Sequence, residues 1–333
     1  MPSLVPGVAL TLMLAAVGVA LSAVLHRAVG RAAPDAIVIA LVAGVAVRAA
    51  WLPGASVRPG VAFSGKTVLE WAIVLLGLTT DLRSFAQTGA PLLLGIVAIV
   101  AAVLAGGFVV GRASGLSHAH SLLVASGNAI CGNSAIVAVA AVNGASREEV
   151  ASSIAYTAVF GVAVVLALPA LAPVLHLTDF EYGVVAGLSV YAVPQVLAAA
   201  YPVSVAAGQT GMLVKLVRVL LLGPIVLLVA MWERRRGLRA DEQERRKGYL
   251  PWFVVGFVLA AGLQTAGLVP AALTTLARST SHWATIASMA ALGLAVDVAA
   301  VRRVGGRVAL AVTASLVLLL ALSVGLARLV SPA

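Results

Sequence analysis

Apolar residues dominate long stretches of the chain and are separated by short polar links. The first such run extends from Leu4 to Leu25, and further runs of roughly 17 to 25 residues, the length that a helix needs to cross a hydrocarbon core, follow it. Strands of a membrane barrel would instead show shorter segments of alternating polarity. The pattern therefore predicts an all-α, polytopic membrane protein.

About ten to eleven transmembrane helices are expected from this pattern. The first run has no basic residues before it and further spans follow, so we interpret it as a retained span and not as a signal peptide. The chain 1–333 is expected to form one transmembrane domain, with a first half at about 34–173 and a second half at about 180–329. The candidate spans are 4–25, 34–52, 61–79, 91–111, 119–143, 147–173, 180–200, 211–231, 250–268, 283–299 and 307–329.

Composition and charge agree with a membrane protein. Of the 333 residues, 62% are hydrophobic and 10% are charged, and the mean hydropathy is +1.09, which excludes a soluble domain with one core. The formal charge of +10 comes mainly from the short links, so it reports membrane orientation and not a nucleic-acid partner. The link 233–249 carries seven basic residues, and the positive-inside rule predicts that it is cytoplasmic, with the N-terminus inside and the C-terminus outside.

Two distant segments of the chain have similar sequences, and this similarity is here called the internal echo. LLGLTTDLRSFAQTGAPLLL, which starts at Leu75, aligns with ALGLAVDVAAVRRVGGRVAL, which starts at Ala291, at a constant offset that pairs Asp81 with Asp297. The two copies fall in the third and tenth candidate spans, an odd separation that predicts opposite orientations, as in transporters with inverted repeats. Chance similarity between two apolar helices is the alternative, and a register that pairs the fifth span with the tenth is also left open.

One stretch, SGNAICGNSAIVA at 126–138, gathers polar and small residues inside an apolar span. Unwound backbone is tolerated at membrane depth only where it faces protein or a water-filled cavity, so the stretch predicts an interrupted helix that lines a substrate site. The N-terminus of a half-helix suits an anion. The alternative is that small residues pack two helices together. The candidate substrate-binding residues of this stretch are Asn128, Cys131, Gly132, Asn133 and Ser134.

Two basic residues, Lys215 and Arg218, lie three positions apart near the start of another apolar span, and therefore on one helical face. Charges inside a span tend to face the interior of the bundle and to mark a pathway, although both side chains could instead snorkel to the nearby interface. Upstream, Tyr191 and Gln195 are one turn apart with Pro194 between them, which predicts a kink that frees backbone carbonyls. These four polar residues complete the candidate substrate site.

Three acidic residues are candidates for binding a coupling ion. Asp81 and Asp297 end the two copies of the echo, where they would bind Na⁺ or H⁺, or only cap a helix end. Glu70 follows Lys66 by four residues and would pair with it in the membrane or be solvated at a helix end. The single cysteine, Cys131, excludes an intramolecular disulfide, and the five histidines show no metal-ligand pattern, so no metal or other cofactor is expected.

The polar motifs together resemble the YeiH family, whose members carry the label of sulfate exporters. SGNAICGNSAIVA, VYAVPQVLAAA, VKLVRVLLLGPIVLL and MAALGLAVDVAAVRRVG occur in the family's order, and the resemblance extends from about Val61 onward. It implies a multi-pass protein of the prokaryotic inner membrane, related to sodium/proton antiporters and bile acid symporters, with two crossing discontinuous helices. Carried over to this chain, the first helix breaks around Cys131 and Gly132, and its partner breaks at 289–293.

We therefore expect a secondary active transporter that exports a small anion, such as sulfate or an organosulfonate, by alternating access around helices broken at mid-membrane. The alternative is a cation/proton antiporter on the same scaffold, which needs a carboxylate at the crossing. An intramembrane enzyme with Cys131 as nucleophile is disfavoured because no span carries a well-placed histidine as base, and no catalytic residue is assigned. The expected partners are the anion and the lipid bilayer, without nucleic acid, and a homodimer is left open.

Overall fold

The computed structural model describes residues 4–29, 35–51, 54–80, 82–236, 252–296 and 305–331. All regular secondary structure in these ranges is helical. A π-helical turn, Ser64–Val68, joins the third α-helix to the fourth. The α-helices, numbered in chain order, are α1 Val5–Val29, α2 Ala36–Ala50, α3 Arg58–Phe63, α4 Leu69–Gly77, α5 Arg83–Ala113, α6 His118–Ala129, α7 Asn133–Asn143, α8 Arg147–Val174, α9 Asp179–Ser189, α10 Val193–Ala200, α11 Val205–Leu220, α12 Leu222–Arg235, α13 Trp252–Thr265, α14 Ala271–Ala295 and α15 Gly306–Leu329.

Every candidate span overlaps a described helix or a pair of helices separated by a short break, so the predicted all-helical fold is confirmed. Several of these spans are long and apolar enough to cross a membrane, which is the property expected of a membrane protein. Within the described ranges there are six: Val5–Ala28, Arg58–Gly77, Gly89–Ala113, Arg147–Val174, Val205–Arg235 and Gly306–Leu329.

Helix α14 begins earlier than the predicted span at 283–299. It starts at Ala271 and includes the polar sequence TTLARSTSH, which the hydropathy pattern assigns to a link. Two hydroxyl groups in or just after this part bond back to the helix itself: Thr275 Oγ1 donates to the Ala271 carbonyl at 3.0 Å, and Thr285 Oγ1 donates to the Ser281 carbonyl at 2.7 Å, whereas Ser281 Oγ donates to the Ala72 carbonyl of α4 at 2.7 Å. Because serine and threonine can satisfy their hydroxyls in this way, their polarity does not end the helix.

The chain divides into two compact units. The first combines Met1–Gln87 with Trp252–Asp297, and the second combines Thr88–Pro251 with Val298–Ala333. Each unit therefore takes helices from both of the halves expected from the sequence. The expectation of one transmembrane domain stays a prediction.

In the first unit, α2 packs on α14 and α4 packs on α13. The backbones of α2 and α14 approach so closely that a Cβ added to Gly293 would lie 2.2 Å from the Leu41 carbonyl oxygen. Glycine at this point lets two helices pack without an intervening side chain, as small residues do in membrane helix pairs.

The helix bounds follow the internal echo. The offset that pairs Gly89 with Gly305 also pairs α2 with α13 and α4 with α14. Helix α15 begins directly after Gly305, and α5 has its non-helical point at Gly89, with φ 59° and ψ −154°. Under this offset the α2–α14 and α4–α13 contacts of the first unit are equivalent. These agreements support a structural repeat, and the inverted orientation of its copies stays a prediction.

The second unit contains two broken helices. Residues 130–132 separate α6 from α7, and residues 190–192 separate α9 from α10. The second break therefore lies beside Pro194, where the sequence predicts a kink. The break expected at 289–293 is wrong, because α14 continues to Ala295 and its Gly293 serves close packing on α2.

Candidate functional site

The first break depends on a glycine conformation. Ile130, with φ −116° and ψ −87°, ends α6, and Gly132, with φ 64° and ψ −122°, begins α7. Residues with a side chain rarely adopt a φ/ψ pair in this region. The space is closed as well, because a Cβ on Gly132 would lie 3.1 Å from the Cβ of Tyr191. The contact with Tyr191 also brings the first break against the second.

The second break is extended backbone followed by a self-capped half-helix. Val190, with φ −78° and ψ 144°, ends α9, and Ala192, with φ −113° and ψ 148°, precedes α10. Pro194 lies in the first turn of α10, where the missing N–H of proline costs no helical hydrogen bond. The Ala192 N–H donates to Gln195 Oε1 at 3.2 Å. The Gln195 side chain therefore caps α10, and its amide packs on Gly161 of α8.

Lys215 joins the two breaks. Its Nζ donates to the carbonyl oxygen of Ile130 at 2.8 Å and to that of Val190 at 2.7 Å. These two carbonyls lie at the C-terminal ends of α6 and α9, where no backbone N–H of the same helix is available to bond them. One ammonium group thus supplies hydrogen bonds to both half-helices.

Arg218 binds the same two helix ends one turn farther along α11. On α6, its Nε donates to the Ala129 carbonyl at 3.1 Å and its Nη2 to the Asn128 carbonyl at 2.7 Å. On α9, its Nη1 donates to the Gly187 carbonyl at 3.2 Å and also to the Leu188 carbonyl. The guanidinium group, with five N–H donors and no acceptor, matches such a cluster of carbonyl oxygens.

Close packing of α11 on α9 brings the two cations to this position. A Cβ on Gly187 would lie 2.4 Å from the Gly211 carbonyl, so the two helix backbones touch. The side chains of Lys215 and Arg218 are both 0% exposed. The alternative that they snorkel to the membrane interface is therefore wrong.

The ends of α6 and α9 are electrostatically complementary to these cations. A helix C-terminus carries about half a negative charge, so the two ends together carry roughly one, against two full positive charges. The segments 128–134 and 187–195 contain no acidic residue. When Lys215 is protonated, a positive charge of about one unit is left at the meeting point of the breaks, and the N-termini of α7 and α10 add to it.

The N-terminus of α7 presents polar groups beside this charge. Asn133 and Ser134 are exposed, and no side chain caps the start of this helix. Thr157 Oγ1 donates to Asn133 Oδ1 at 2.7 Å, which leaves the amide NH₂ of Asn133 to act as a donor. The half-buried Cys131 lies next to them, with the Ser134 side chain and the Ala135 backbone close to its sulfur.

Two predicted site residues are buried in the packing around the breaks. Asn128 is 0% exposed, and its Nδ2 donates to the Val312 carbonyl of α15 at 3.2 Å, so its side chain faces α15. Tyr191 is 3% exposed, and its hydroxyl has no hydrogen-bond partner among the residues that the structure describes. The structure thus gathers the nine candidate residues around the two breaks, but only Cys131, Asn133 and Ser134 remain accessible there.

Of the three candidates for a coupling ion, the structure describes one, Glu70. Asp81 and Asp297 fall outside the described residues. Glu70 belongs to the first unit, and its Oε2 accepts a hydrogen bond from the Trp252 indole at 2.8 Å. The described part of the chain shows no ion pair between Glu70 and Lys66, so the pairing suggested by their spacing is wrong.

Several parts of the site have no counterpart in the sequence prediction. The carbonyl groups of 128–130, 187, 188 and 190 are the partners of the two cations, and any residue type can supply a carbonyl. Thr157 orients Asn133 from α8, a helix without an evident polar motif at that point. Pro194 indicates the second break, but the sequence motif alone does not say which helix the carbonyls of this break face.

Comparison with known proteins places the chain in a family. The family model described as "Conserved hypothetical protein 698" matches residues 6–312. The chain belongs to the YeiH/UPF0324 family. Among its relatives, the UPF0324 membrane protein BMEI1914 of Brucella melitensis is 44% identical over 331 residues, which are 99% of this chain and 92% of that protein. The UPF0324 membrane protein blr3189 of Bradyrhizobium diazoefficiens is also 44% identical, over 97% of this chain and 92% of the relative.

More distant members of the UPF0324 family cover most of the chain as well. The UPF0324 membrane protein TauZ of Paracoccus denitrificans is 35% identical over 300 residues, 87% of each chain. No solved structure matches the sequence. Membership of the UPF0324 family confirms the resemblance stated from the motifs and supports a membrane protein with a transporter-like role.

Proposed function

We propose that the protein is a secondary active transporter that exports a small anion, such as sulfate or an organosulfonate, from a prokaryotic cell across the inner membrane. In this proposal the two broken helices of the second unit form the binding site, access to the site alternates between the two sides, and an Na⁺ or H⁺ gradient drives transport. Irregular backbone at membrane depth generally lines a binding site or a cavity, and the two broken helices provide such backbone.

One observation carries the proposal: two buried cations lie at the meeting point of the two breaks, and neither break contains a carboxylate. Lys215 and Arg218 more than offset the negative ends of α6 and α9, so the remaining charge favours an anion. Buried charges inside a membrane protein are costly and mark functional pathways.

The accessible groups at the start of α7 are the proposed direct ligands. The amide NH₂ of Asn133, the hydroxyl of Ser134 and the first backbone N–H groups of α7 are donors, and a helix N-terminus binds oxyanions without further charge. Arg218 takes a different part from the one suggested by the sequence. Because its guanidinium already donates to four carbonyls, Arg218 holds the half-helices in position and contributes positive charge to the site without being a direct ligand of the anion.

The two alternatives receive less support. A cation/proton antiporter needs a carboxylate at the crossing, and the segments 128–134 and 187–195 contain none. An enzyme with Cys131 as nucleophile needs a base, and the segments 128–134 and 187–195 around the breaks contain no histidine or acidic residue.

A binding experiment separates the anion transporter from the antiporter. Thermal unfolding of the purified protein is measured with sodium sulfate, sodium ethanesulfonate and sodium gluconate at equal ionic strength, because a ligand that binds the folded state raises its stability. We expect stabilisation by sulfate or the sulfonate and none by gluconate. Equal stabilisation by the three sodium salts, lost when choline replaces sodium, would contradict the proposal and favour the antiporter.

Two asparagine variants, one at each end of α7, test whether Asn133 is a ligand of the anion. Asn133→Ala removes the proposed donor at the start of α7, and we expect anion affinity to fall roughly fivefold, since one hydrogen bond contributes about 1 kcal/mol. Asn143→Ala is the control at the C-terminal end of α7, where the side chain bonds the Ala119 carbonyl at 3.0 Å. Release of labelled sulfate from proteoliposomes should follow the same order. Equal losses in both variants would show that Asn133 acts only through stability.

A further inference from the structure

The end of α12 carries a basic and aromatic surface that the proposed anion site does not use. On this helix Leu228 is 64% exposed, Trp232 is 41% exposed, and Arg235 and Arg236 are exposed as well. Residues three or four positions apart are neighbours on a helix, so these side chains follow one another along a single face. The order along the face is apolar, aromatic and basic, which matches the change from the interior of a membrane leaflet to its headgroups.

The end of α5 repeats this order beside α12. Val109 is 62% exposed, and Arg112, three positions farther along the helix, is exposed too. Phe108 of α5 packs edge-on against Trp232 of α12, with ring centroids 5.6 Å apart. Each of these two rings is followed one helical turn later by an arginine, which is Arg112 on α5 and Arg236 after α12. The two helix ends therefore form one surface.

Arg236 is held in place on aromatic rings. Its Cζ lies 5.7 Å from the centroid of the Trp232 ring, and its Nη1 lies 2.9 Å from His118 Nδ1 and 3.2 Å from His118 Nε2. His118 packs in turn against Phe108 and Trp232, with ring centroids 5.2 Å and 5.1 Å from its own. The contacts with His118 are made by Nη1, and a guanidinium has five N–H donors, so Nε and Nη2 can bind oxygen atoms of another group. A planar guanidinium on an aromatic ring is well suited to bind phosphate.

The surface carries a net positive charge. The segments 108–118 and 231–236 contain four arginine residues and one acidic residue, Glu233. The side chain of Glu233 is 1% exposed, and its Oε1 lies 2.6 Å from His118 Nε2, so this carboxylate is buried beneath the surface. The exposed groups are therefore the arginine side chains, which favour a negatively charged partner.

Neighbouring elements do not cancel this charge. Arg307 at the start of α15 is exposed and lies beside the end of α5, since a Cβ on Gly115 would be 3.5 Å from its Nη1. Glu149 of α8 accepts hydrogen bonds from the Ser117 hydroxyl and from the Ser146 N–H, so it caps α6 and α8 with both of its oxygen atoms. The two residues before it on α8 have opposite charges.

We propose that the surface at the ends of α5 and α12 binds the headgroup of an anionic phospholipid. This surface, here called the Trp232 surface, is formed by Phe108, Arg112, Trp232, Arg235 and Arg236. The arginine side chains donate to phosphate oxygens, the Trp232 ring lies at the level of the headgroups, and the acyl chains contact the apolar side chains of the preceding turns. A lipid fits this surface better than a soluble anion does, because the apolar face continues directly into the basic one on both helices. The link 233–249 is predicted to be cytoplasmic, and the cytoplasmic leaflet has a negative surface potential.

Lipid binding can be measured without any transport assay. The detergent-purified protein is given equal amounts of phosphatidylglycerol and phosphatidylcholine with the same acyl chains, and native mass spectrometry counts the lipids that stay bound. We expect phosphatidylglycerol to be retained in preference. Arg235→Gln and Arg236→Gln should each lower this preference by about fivefold, because one basic residue near an anionic membrane surface contributes about 1 kcal/mol. Arg328→Gln removes an exposed arginine in the last turn of α15 and is the matched control, so it should leave the preference unchanged.

The same measurement distinguishes the other occupants of the Trp232 surface. Equal retention of the two lipids by the unmodified protein would overturn the proposal, and so would an unchanged preference in both Arg235→Gln and Arg236→Gln. Displacement of phosphatidylglycerol by inorganic phosphate would assign the surface to a soluble anion. A lipid-free dimer that Arg236→Gln dissociates would assign the surface to a second copy of the chain. Either of these last two results would also overturn the lipid assignment.

Thermal unfolding in nanodiscs gives an independent readout, because a ligand that binds the folded state raises its stability. The unfolding temperature of the unmodified protein should be higher in phosphatidylglycerol than in phosphatidylcholine. Arg236→Gln should reduce this difference, and so should Trp232→Leu, which keeps an apolar side chain but removes the ring under the guanidinium. Arg328→Gln, with the same loss of charge, should retain the difference. An equal reduction in Arg236→Gln and Arg328→Gln would show that only the total charge of the protein matters, and would overturn the site.

Discussion

Helix α14 and the broken pair α9 and α10 are both rich in small and polar residues, but only the pair is interrupted. In α14, the hydroxyls of Thr285 and Ser288 bond to carbonyls of the preceding turn, and the backbone ladder continues. In α9, the carbonyls of Gly187, Leu188 and Val190 are bound by cations from α11. The difference shows that small residues permit a break, whereas an external donor stabilises one.

The first break follows the same rule. The last carbonyls of α6 are bound by Lys215 and Arg218, as are those of α9. Free carbonyls in an apolar interior cost several kcal/mol each. The two cations therefore stabilise both breaks at one place, and their charge also favours the binding of an anion there. The structural and functional roles of Lys215 and Arg218 are consequently inseparable by simple deletion.

The largest expected effect comes from removing the donor on which the breaks depend. Arg218→Met should destabilise the folded protein by about 3 to 5 kcal/mol, the range for deleting one partner of a buried charged contact. Arg328→Met is the matched control, because Arg328 also donates to a carbonyl, that of Leu175 at 3.2 Å, but is exposed. Its effect should stay within about 0.5 kcal/mol. Unfolding of the purified variants in nanodiscs measures both, and similar values would refute the rule drawn from the comparison.

A smaller effect is expected from the conformation of the first break. Gly132→Ala should cost about 1 to 3 kcal/mol, because φ 64° and ψ −122° lie in a region that side chains rarely adopt. Gly144, at the C-terminal end of α7, has φ 69° and ψ 23°, which is ordinary left-handed backbone. Asparagine tolerates that region, so Gly144→Asn should be nearly neutral, while Gly132→Asn should be as harmful as Gly132→Ala. Equal tolerance of asparagine at both positions would mean that residue 132 is not strained.

Much of this architecture could be predicted from the sequence. Apolar runs located the helices because each must satisfy its own backbone in lipid. The polar residues around Cys131 and the pair Lys215 and Arg218 identified the right elements, because such residues are too costly in a span to be incidental. The excess of polarity in 126–138 was therefore a reliable signal.

The family resemblance assigns the wrong partner to the first break, for a physical reason. Gly293 and its neighbours have the composition of a break, but the glycine is used for contact with Leu41. The ligands of Lys215 and Arg218 are main-chain carbonyls, which leave no trace in residue type. Likewise, the role of Arg218 as a binder of helix ends depends on which helices α11 contacts, and local pattern does not contain that information.

The smallest expected effect concerns the solvent accessibility of the first break, compared with that of the continuous helix α14. Cys131 is half-buried beside the exposed Asn133 and Ser134, so a membrane-impermeant thiol reagent should label it. A cysteine placed at Ala291 of the continuous helix α14, in a Cys131→Ser background, should stay unlabelled because that position is 1% exposed. Bound anion should slow the labelling of Cys131, by at most about tenfold at ten times the dissociation constant, because only unoccupied sites react. Mass spectrometry measures both rates, and an inert Cys131 in every condition would favour a purely packed break over a binding site.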